Sequence, residues 1–296
     1  MKEETPSRTA AFVAAVRQLG QLLPPEARLV EDPYGAAFTS ATVGRALERN
    51  ADQLRVLAAM PGMKNWILYM QVRTRVIDDA IREFVDAGGR QLVVLGAGYD
   101  TRALRLPELA DVDVYEVDHP ATQGHKRRTL DRIGAESPSH YVTWDFEARP
   151  MEDLPEELAT SGLDLARPVF TIWEGVTMYL TEPAIDTSLR AIRQWSAPGE
   201  SRLAMTYVIR SRLEKPSLIS RAMQIVVSSV GEPWKWGWDP DTLPEYLAER
   251  DFTLVRDVPM AEAARELLPP QIAIHVPHRD RRIAVAAGAE SIAVAK

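Results

Sequence analysis

Short apolar or β-branched runs near residues 91–95, 112–117, 140–144, 168–173 and 201–208 alternate with helix-patterned segments near 101–109, 121–134 and 182–195. Runs of this length separated by helices leave few solutions. A parallel sheet with helices wound on both faces buries both kinds of element, so the chain reads as a doubly wound α/β fold.

The flanking regions fit around that core. Ala11, Phe12, Ala15, Val16 and Leu19 fall at helical spacing within 6–20. Leu23-Pro24-Pro25 ends that helix, and Glu31-Asp32-Pro33-Tyr34-Gly35 marks a turn. A second helical region is expected over 35–59, broken by Met60-Pro61-Gly62. A long helix then runs from about 66 to Ala87, with Gly88-Gly89 at its C-terminal cap. Its apolar stripe is Ile67, Met70, Ile77, Ile81 and Phe84, and Arg73 falls on that stripe. Arg75 has Asp79 one turn on as a surface partner, whereas Arg73 needs an anion that the local sequence does not supply.

After residue 208 the pattern changes. A helical segment over Arg210 to Val230 leads into Gly231-Glu232-Pro233-Trp234-Lys235-Trp236-Gly237-Trp238-Asp239-Pro240. A helix near 241–250, a strand near 252–258 and apolar runs within 283–294 follow. With no repeat and no low-complexity linker, the expected organisation is one domain: an N-terminal helical lid (1–65), a core (66–208), an inserted cap (209–250) and C-terminal strands (251–296).

A net charge of −7 and a pI near 5.4 argue against general affinity for nucleic acid or acidic membranes. The basic cluster Arg279-Asp280-Arg281-Arg282 reads as a solvated stretch. The absence of cysteine removes disulfides, thiolate metal sites and cysteine nucleophiles. The N-terminal residues have acids where a leader would be basic, and cytoplasmic residence is the expectation.

The stretch VVLGAGYDTR, residues 93–102, ends the first strand in two glycines. In a doubly wound sheet this loop lies where ligands bind, beyond the carboxyl ends of the strands. A dinucleotide fingerprint needs a third glycine, and position 101 is threonine, so pyrophosphate is disfavoured. A lone G-x-G is equally a tight turn. Asp118 stands at the distance at which an acid meets a ribose, although Glu116 shares its face and spacing alone cannot separate them. Asp145 follows the third strand and Glu174 the fourth. With Arg73, these acids match a zwitterion bearing a ribose. S-adenosylmethionine has a carboxylate for Arg73, an ammonium for Glu174 and hydroxyls for Asp118; NAD lacks the amino-acid end.

Arg73-Thr74-Arg75-Val76-Ile77-Asp78-Asp79, Leu95-Gly96-Ala97-Gly98-Tyr99-Asp100-Thr101-Arg102, Glu116-Val117-Asp118-His119-Pro120 and Glu174-Gly175-Val176-Thr177-Met178-Tyr179-Leu180 resemble, in motif and order, the leucine carboxyl methyltransferase family. Ser7-Arg8-Thr9-Ala10, Asp32-Pro33-Tyr34 and Gly231-Glu232-Pro233 extend the likeness. The resemblance implies a class I methyltransferase (Rossmann-like) fold with a mostly parallel seven-stranded sheet and S-adenosylmethionine as cofactor. It places Arg73 on the methionyl carboxylate, the Gly96, Ala97 and Gly98 loop beneath the cofactor and Asp118 on the ribose. It also places Asp145 and Phe146 beside the adenine and Glu174 near the amino group. Arg8 is the nearest match to a basic N-terminal residue that contacts cofactor in some members, and His119 takes a structural place beside Asp118.

The acceptor is not fixed by the resemblance. A carboxylate acceptor is already ionised near neutral pH and needs no general base. Few histidines are available, and His275-Val276-Pro277-His278 reads as a loop rather than a metal site. No catalytic residue is assigned; Tyr179 either lines the acceptor side or packs. Trp234, Trp236 and Trp238 alternate, which would turn them to one face against a flat acceptor, or pack them as a lid. The sequence thus predicts an S-adenosylmethionine-dependent O-methyltransferase forming a methyl ester on a small metabolite. Its partner would be a small-molecule acceptor, with no nucleic acid, membrane or metal. The alternatives are transfer to a hydroxyl, nitrogen or carbon of a natural product, and a catalytically silent binding protein.

Overall fold

A computed structural model describes residues 6–39, 58, 60–214 and 234–289. At its centre is β1 (Gln91–Leu95), buried at every position as a central parallel strand must be. Alternate residues serve opposite layers. Leu92 and Val94 join one hydrophobic core, and Val93 and Leu95 join the other.

Parallel neighbours flank it, β2 (Asp113–Asp118) on one side and β4 (Phe170–Trp173) on the other. Beyond them lie β3 (His140–Thr143) and β5 (Arg202–Val208), also parallel. β7 (Arg281–Gly288) pairs antiparallel with β5, and β6 (Phe252–Pro259) antiparallel with β7. The sheet order is β3-β2-β1-β4-β5-β7-β6. The strand order reverses between β1 and β4, where a doubly wound sheet opens a crevice at the strands' carboxyl ends. This is the seven-stranded, mostly parallel class I arrangement expected from the sequence.

In chain order the helices are α1 (Arg8–Leu19), α2 (Pro61–Asp86), α3 (Arg102–Arg105), α4 (Pro120–Ile133), α5 (Leu154–Thr160), α6 (Glu182–Gln194), α7 (Arg210–Glu214), α8 (Leu243–Ala248), α9 (Met260–Leu267) and α10 (Pro270–Ala273). α1, α2, α9 and α10 contribute to the first core, and α5, α6 and α8 to the second. The stripe Ile67, Met70, Ile77, Ile81 and Phe84 is buried as its spacing predicts, and Arg73 is buried with it. Arg75 pairs with Asp79 at 2.8 Å on the surface.

Several sequence expectations need correction. Met60-Pro61-Gly62 does not precede a separate later helix; Pro61 is the first residue of α2, where its missing N–H is no loss. The segment 101–109 is a single turn, α3, followed by a 3-10 turn over Pro107–Leu109. Helices α5, α9 and α10 were not anticipated, being too short for a full periodic stripe. Most of the expected 35–59 helix, the Arg210 to Val230 helix beyond residue 214, Gly231-Glu232-Pro233 and the end of the last apolar run lie outside the described residues. Asp251, just after α8, has φ 58° in the left-handed region where glycine is the usual occupant. Among the described residues no helix is long and apolar enough to cross a membrane.

Candidate functional site

The chain leaves β1 through Gly96 and Gly98, with φ of 64° and 53°. A Cβ on Gly96 would lie 3.0 Å from Cγ2 of Val176, and one on Gly98 would lie 3.1 Å from Cβ of Ala10 in α1. Glycine is therefore required twice over, by backbone conformation and by close approach. The amides of Gly96 and Ala97 both donate to the Val117 carbonyl, at 2.9 and 3.1 Å, and the Gly98 amide donates to Oδ2 of Asp118. With these three donors committed there is no amide nest for a pyrophosphate.

Asp118 at the end of β2 also accepts from the His119 amide at 2.6 Å. Burial raises its pKa against the pull of these donors. Glu116 is placed differently. It is 3% exposed, ion-paired with Lys126 and bonded by Ser139 Oγ at 2.8 Å. Of the two acids, Asp118 is the one bonded to the glycine loop, while Glu116 is committed to Lys126 and Ser139. His119 caps α4, its Nδ1 accepting from the Ala121 amide at 3.1 Å, and its Nε2 lies 3.6 Å from Oδ2 of Asp145. Asp145 follows β3 beside this cap, and Phe146 leaves its ring 44% exposed.

The anion that Arg73 requires comes from the far side of the switch point. Nε of Arg73 lies 2.6 Å from Oε1 of Glu174, and an Nη of Arg102 lies 2.9 Å from Oε2. Burial alone would raise the pKa of Glu174, but the two arginines hold it below the ordinary range. Arg102 is 2% exposed and also pairs with Asp78 at 2.7 Å and with Asp100. Asp78 takes Arg105 as well, at 2.7 Å. Sequence reasoning gave Arg102 no role, because its partners come from α2, the loop and the end of β4 and share no periodicity. Arg17 of α1 reaches the same loop, donating to the Tyr99 carbonyl and pairing with Asp32 at 3.1 Å. The side chain of Arg8 lies outside the described residues.

Next to Arg73 stands a group of aromatic side chains that includes Tyr69, Trp66 and Trp234. The Lys235 amide donates to the Met178 carbonyl at 2.7 Å and the Trp238 amide to the Val208 carbonyl at 3.2 Å, pinning the tryptophan loop across β4 and β5. The three tryptophans do not share a face. Trp238 is 3% exposed in the second core against Tyr207 and Tyr246; Trp236 packs edge-on to Trp238 beneath Arg210. Trp234 alone turns toward Tyr179 and Arg281. Burial raises the Tyr179 pKa, opposed by Trp234, Arg73 and Arg281, so the phenol keeps its proton near neutral pH.

One further expectation fails here. The 279–282 cluster is not a solvated stretch: Arg281 is 7% exposed, and Arg282 pairs with Asp257 at 3.0 Å. His278 packs edge-on to Trp66 and Tyr69, where burial, aided by Arg281, lowers its pKa to about 4. The missed signal is in β7, where Arg281 alternates with the inward Ile283 and Val285. A cavity of about 480 Å³ lined by Phe84, Phe170 and Val285 lies at the opposite ends of the strands. Among the described residues no cluster of three His, Cys, Asp or Glu could hold a metal.

Residues 10–193 match the profile of the leucine carboxyl methyltransferase family. A Mycobacterium avium (strain 104) protein named "Putative S-adenosyl-L-methionine-dependent methyltransferase" is 34% identical over 68% of this chain. A Mycobacteroides abscessus protein of the same name is 35% identical over 66% of this chain. The matched regions span 66% and 62% of these relatives' lengths, slightly under two-thirds. The crystal structure of a DUF574 family protein from Streptomyces avermitilis MA-4680 superimposes with a TM-score of 0.60 at 17% identity, over 95% of this chain and 97% of that one. At that identity the likeness is one of fold.

Proposed function

Since the chain belongs to the leucine carboxyl methyltransferase family, we propose that it is an S-adenosylmethionine-dependent O-methyltransferase that forms a methyl ester on a carboxylate of a small metabolite. The observation that carries this reading is the convergence of Arg73, the Gly96–Gly98 turn, Asp118 and Glu174 at the switch point, drawn from α2, β1, β2 and β4. The set fits the group. Asp118 would accept from ribose hydroxyls, Asp145 and Phe146 would flank an adenine, and Glu174 would stand near the ammonium. Arg73 would hold the methionyl carboxylate while keeping Glu174 as a partner.

When bound, S-adenosylmethionine supplies a methyl group on a positively charged sulfur. The protein's part is alignment and exclusion of water. A carboxylate acceptor suits this reading because Tyr179 and His278, which share the aromatic surroundings of Arg281, are poor bases: burial keeps Tyr179 protonated and makes His278 weakly basic.

Calorimetry with S-adenosylmethionine tests the cofactor: micromolar binding is expected, with loss of at least tenfold in Arg73→Ala. Unchanged affinity in that variant counts against the reading. A screen of carboxylic acids with tritiated methyl donor tests the acceptor. Base-labile label is expected; base-stable label would instead indicate transfer to a hydroxyl, nitrogen or carbon.

A further inference from the structure

Among the described residues Arg281 is a buried cation without a counter-ion. Its side chain belongs to β7 opposite Val208, the last residue of β5, and so lies at the crevice end of the sheet. The residue is 7% exposed, its Nε is buried without a hydrogen-bond partner, and it makes no ion pair among the described residues. The adjacent carboxylate, Asp280, does not reach it within ion-pair distance. Around the guanidinium stand three rings, with centroids at 4.5 Å (Trp66), 4.8 Å (Tyr69) and 5.3 Å (Trp234). Cation–π contact offsets part of the desolvation of an arginine but brings no negative charge. A charge in this position normally has a partner anion.

The neighbours identify where that anion comes from. Tyr69 lies beneath both cations, 5.7 Å from Arg73 and 4.8 Å from Arg281, and Tyr179 feels both charges. Arg73 is neutralised by Glu174, whereas no described residue neutralises Arg281. The surrounding walls are aromatic: Trp66, Tyr69 and Trp234, with the weakly basic His278 edge-on to the first two. They would accept a flat or apolar body and exclude water, which strengthens the attraction between Arg281 and a carboxylate.

We propose that Arg281 is the receptor for the acceptor's carboxylate and that the Trp66, Tyr69 and Trp234 cage holds the acceptor's apolar body. The assignment rests on the methyltransferase reading for its biological meaning. The carboxylate oxygen forms the bond to the methyl carbon as the carbon–sulfur bond breaks, with the electron pair going to sulfur. No proton moves, and an anion and a sulfonium become a neutral ester and a neutral thioether. Esterification therefore removes the charge that Arg281 holds, so substrate is retained and product released by the same group.

The test uses the full chain with S-adenosylhomocysteine present and matched acid–amide probes: benzoate with benzamide, and indole-3-acetate with indole-3-acetamide. Binding is read by tryptophan fluorescence, since Trp66 and Trp234 border the site. At least one acid should bind tenfold more tightly than its amide. Arg281→Met should reduce that preference to within twofold while leaving the S-adenosylhomocysteine affinity unchanged, and Arg281→Lys should keep part of it. Trp234→Leu, which alters no charge, should weaken acid and amide together. Absence of acid preference in the unmodified protein, its survival in Arg281→Met, or a parallel loss of S-adenosylhomocysteine affinity in that variant would overturn the assignment. Should S-adenosylhomocysteine fail to bind the unmodified protein, the methyltransferase reading falls, while the acid–amide comparison without it still decides the role of Arg281.

Discussion

The carboxylate of Glu174 lies 2.6 Å from Nε of Arg73, so the two residues that the sequence sets against opposite ends of a zwitterion are bound to each other. Glu174 also holds Arg102 at 2.9 Å, which makes it the shared anion of two buried cations.

That arrangement predicts an asymmetry in stability. Arg73→Met leaves Glu174 paired with Arg102, whereas Glu174→Gln leaves the buried Arg73 without its counter-ion, Arg102 still holding Asp78 and Asp100. We expect the glutamine variant to lose about 3–5 kcal/mol in urea unfolding and the methionine variant distinctly less. Equal losses, or a larger loss in Arg73→Met, would contradict the geometry.

The glycine loop predicts a coupling between α1 and β1. Gly98→Ala adds strain at φ 53° and a contact 3.1 Å from Ala10, and should cost about 1–2 kcal/mol. In a double-mutant cycle with Ala10→Gly the contact part should be recovered and the backbone part should remain. Strict additivity would show that α1 does not sit over the loop.

Asp251 gives a prediction of opposite sign. An L-residue at φ 58° after α8 carries a conformational cost that glycine avoids. Asp251→Gly should raise unfolding stability by about 0.5–1 kcal/mol, less the entropy that glycine adds to the unfolded chain. A loss of stability would mean that the aspartate side chain earns its place by another contact.

His278 sets a pH dependence. Its folded pKa, about 4, is below the ordinary imidazole value of 6.5, chiefly through burial. Between these values the unfolded chain binds the proton and the folded protein does not, so stability falls as pH falls through that window and is fully present above it. Comparing urea midpoints at pH 7.5 and 5 for the unmodified protein and His278→Phe isolates this from His125 and His275, whose pKa values are also lowered. The loss on acidification should be smaller in the variant, by up to about 2 kcal/mol between those two pH values. Identical slopes would place His278 in solvent.

Much of the site was legible because its residues sit at element ends that periodicity and glycine mark. Leu95-Gly96-Ala97-Gly98, Asp118 and Glu174 each follow a recognisable strand, and Arg73 declares itself by interrupting an apolar stripe. Arg281 was misread because charge density within 279–282 hid the two-residue alternation with Ile283 and Val285. The tryptophans were misread because alternation fixes a common face only in a regular strand, and Trp234, Trp236 and Trp238 lie in a loop held at Met178 and Val208.

The sequence by itself determined the layered α/β fold, its strand positions and the candidate cofactor set, since these follow from local period and from which residue types punctuate it. Pairing was decided only in three dimensions. That Glu116 goes to Lys126 and leaves Asp118 to the loop, that Glu174 bridges Arg73 and Arg102, and that Arg281 finds no anion among the described residues all depend on side chains from separate elements meeting at one crevice. Buried charges are satisfied by whatever the tertiary fold brings within a few ångströms, and no one-dimensional pattern records that distance.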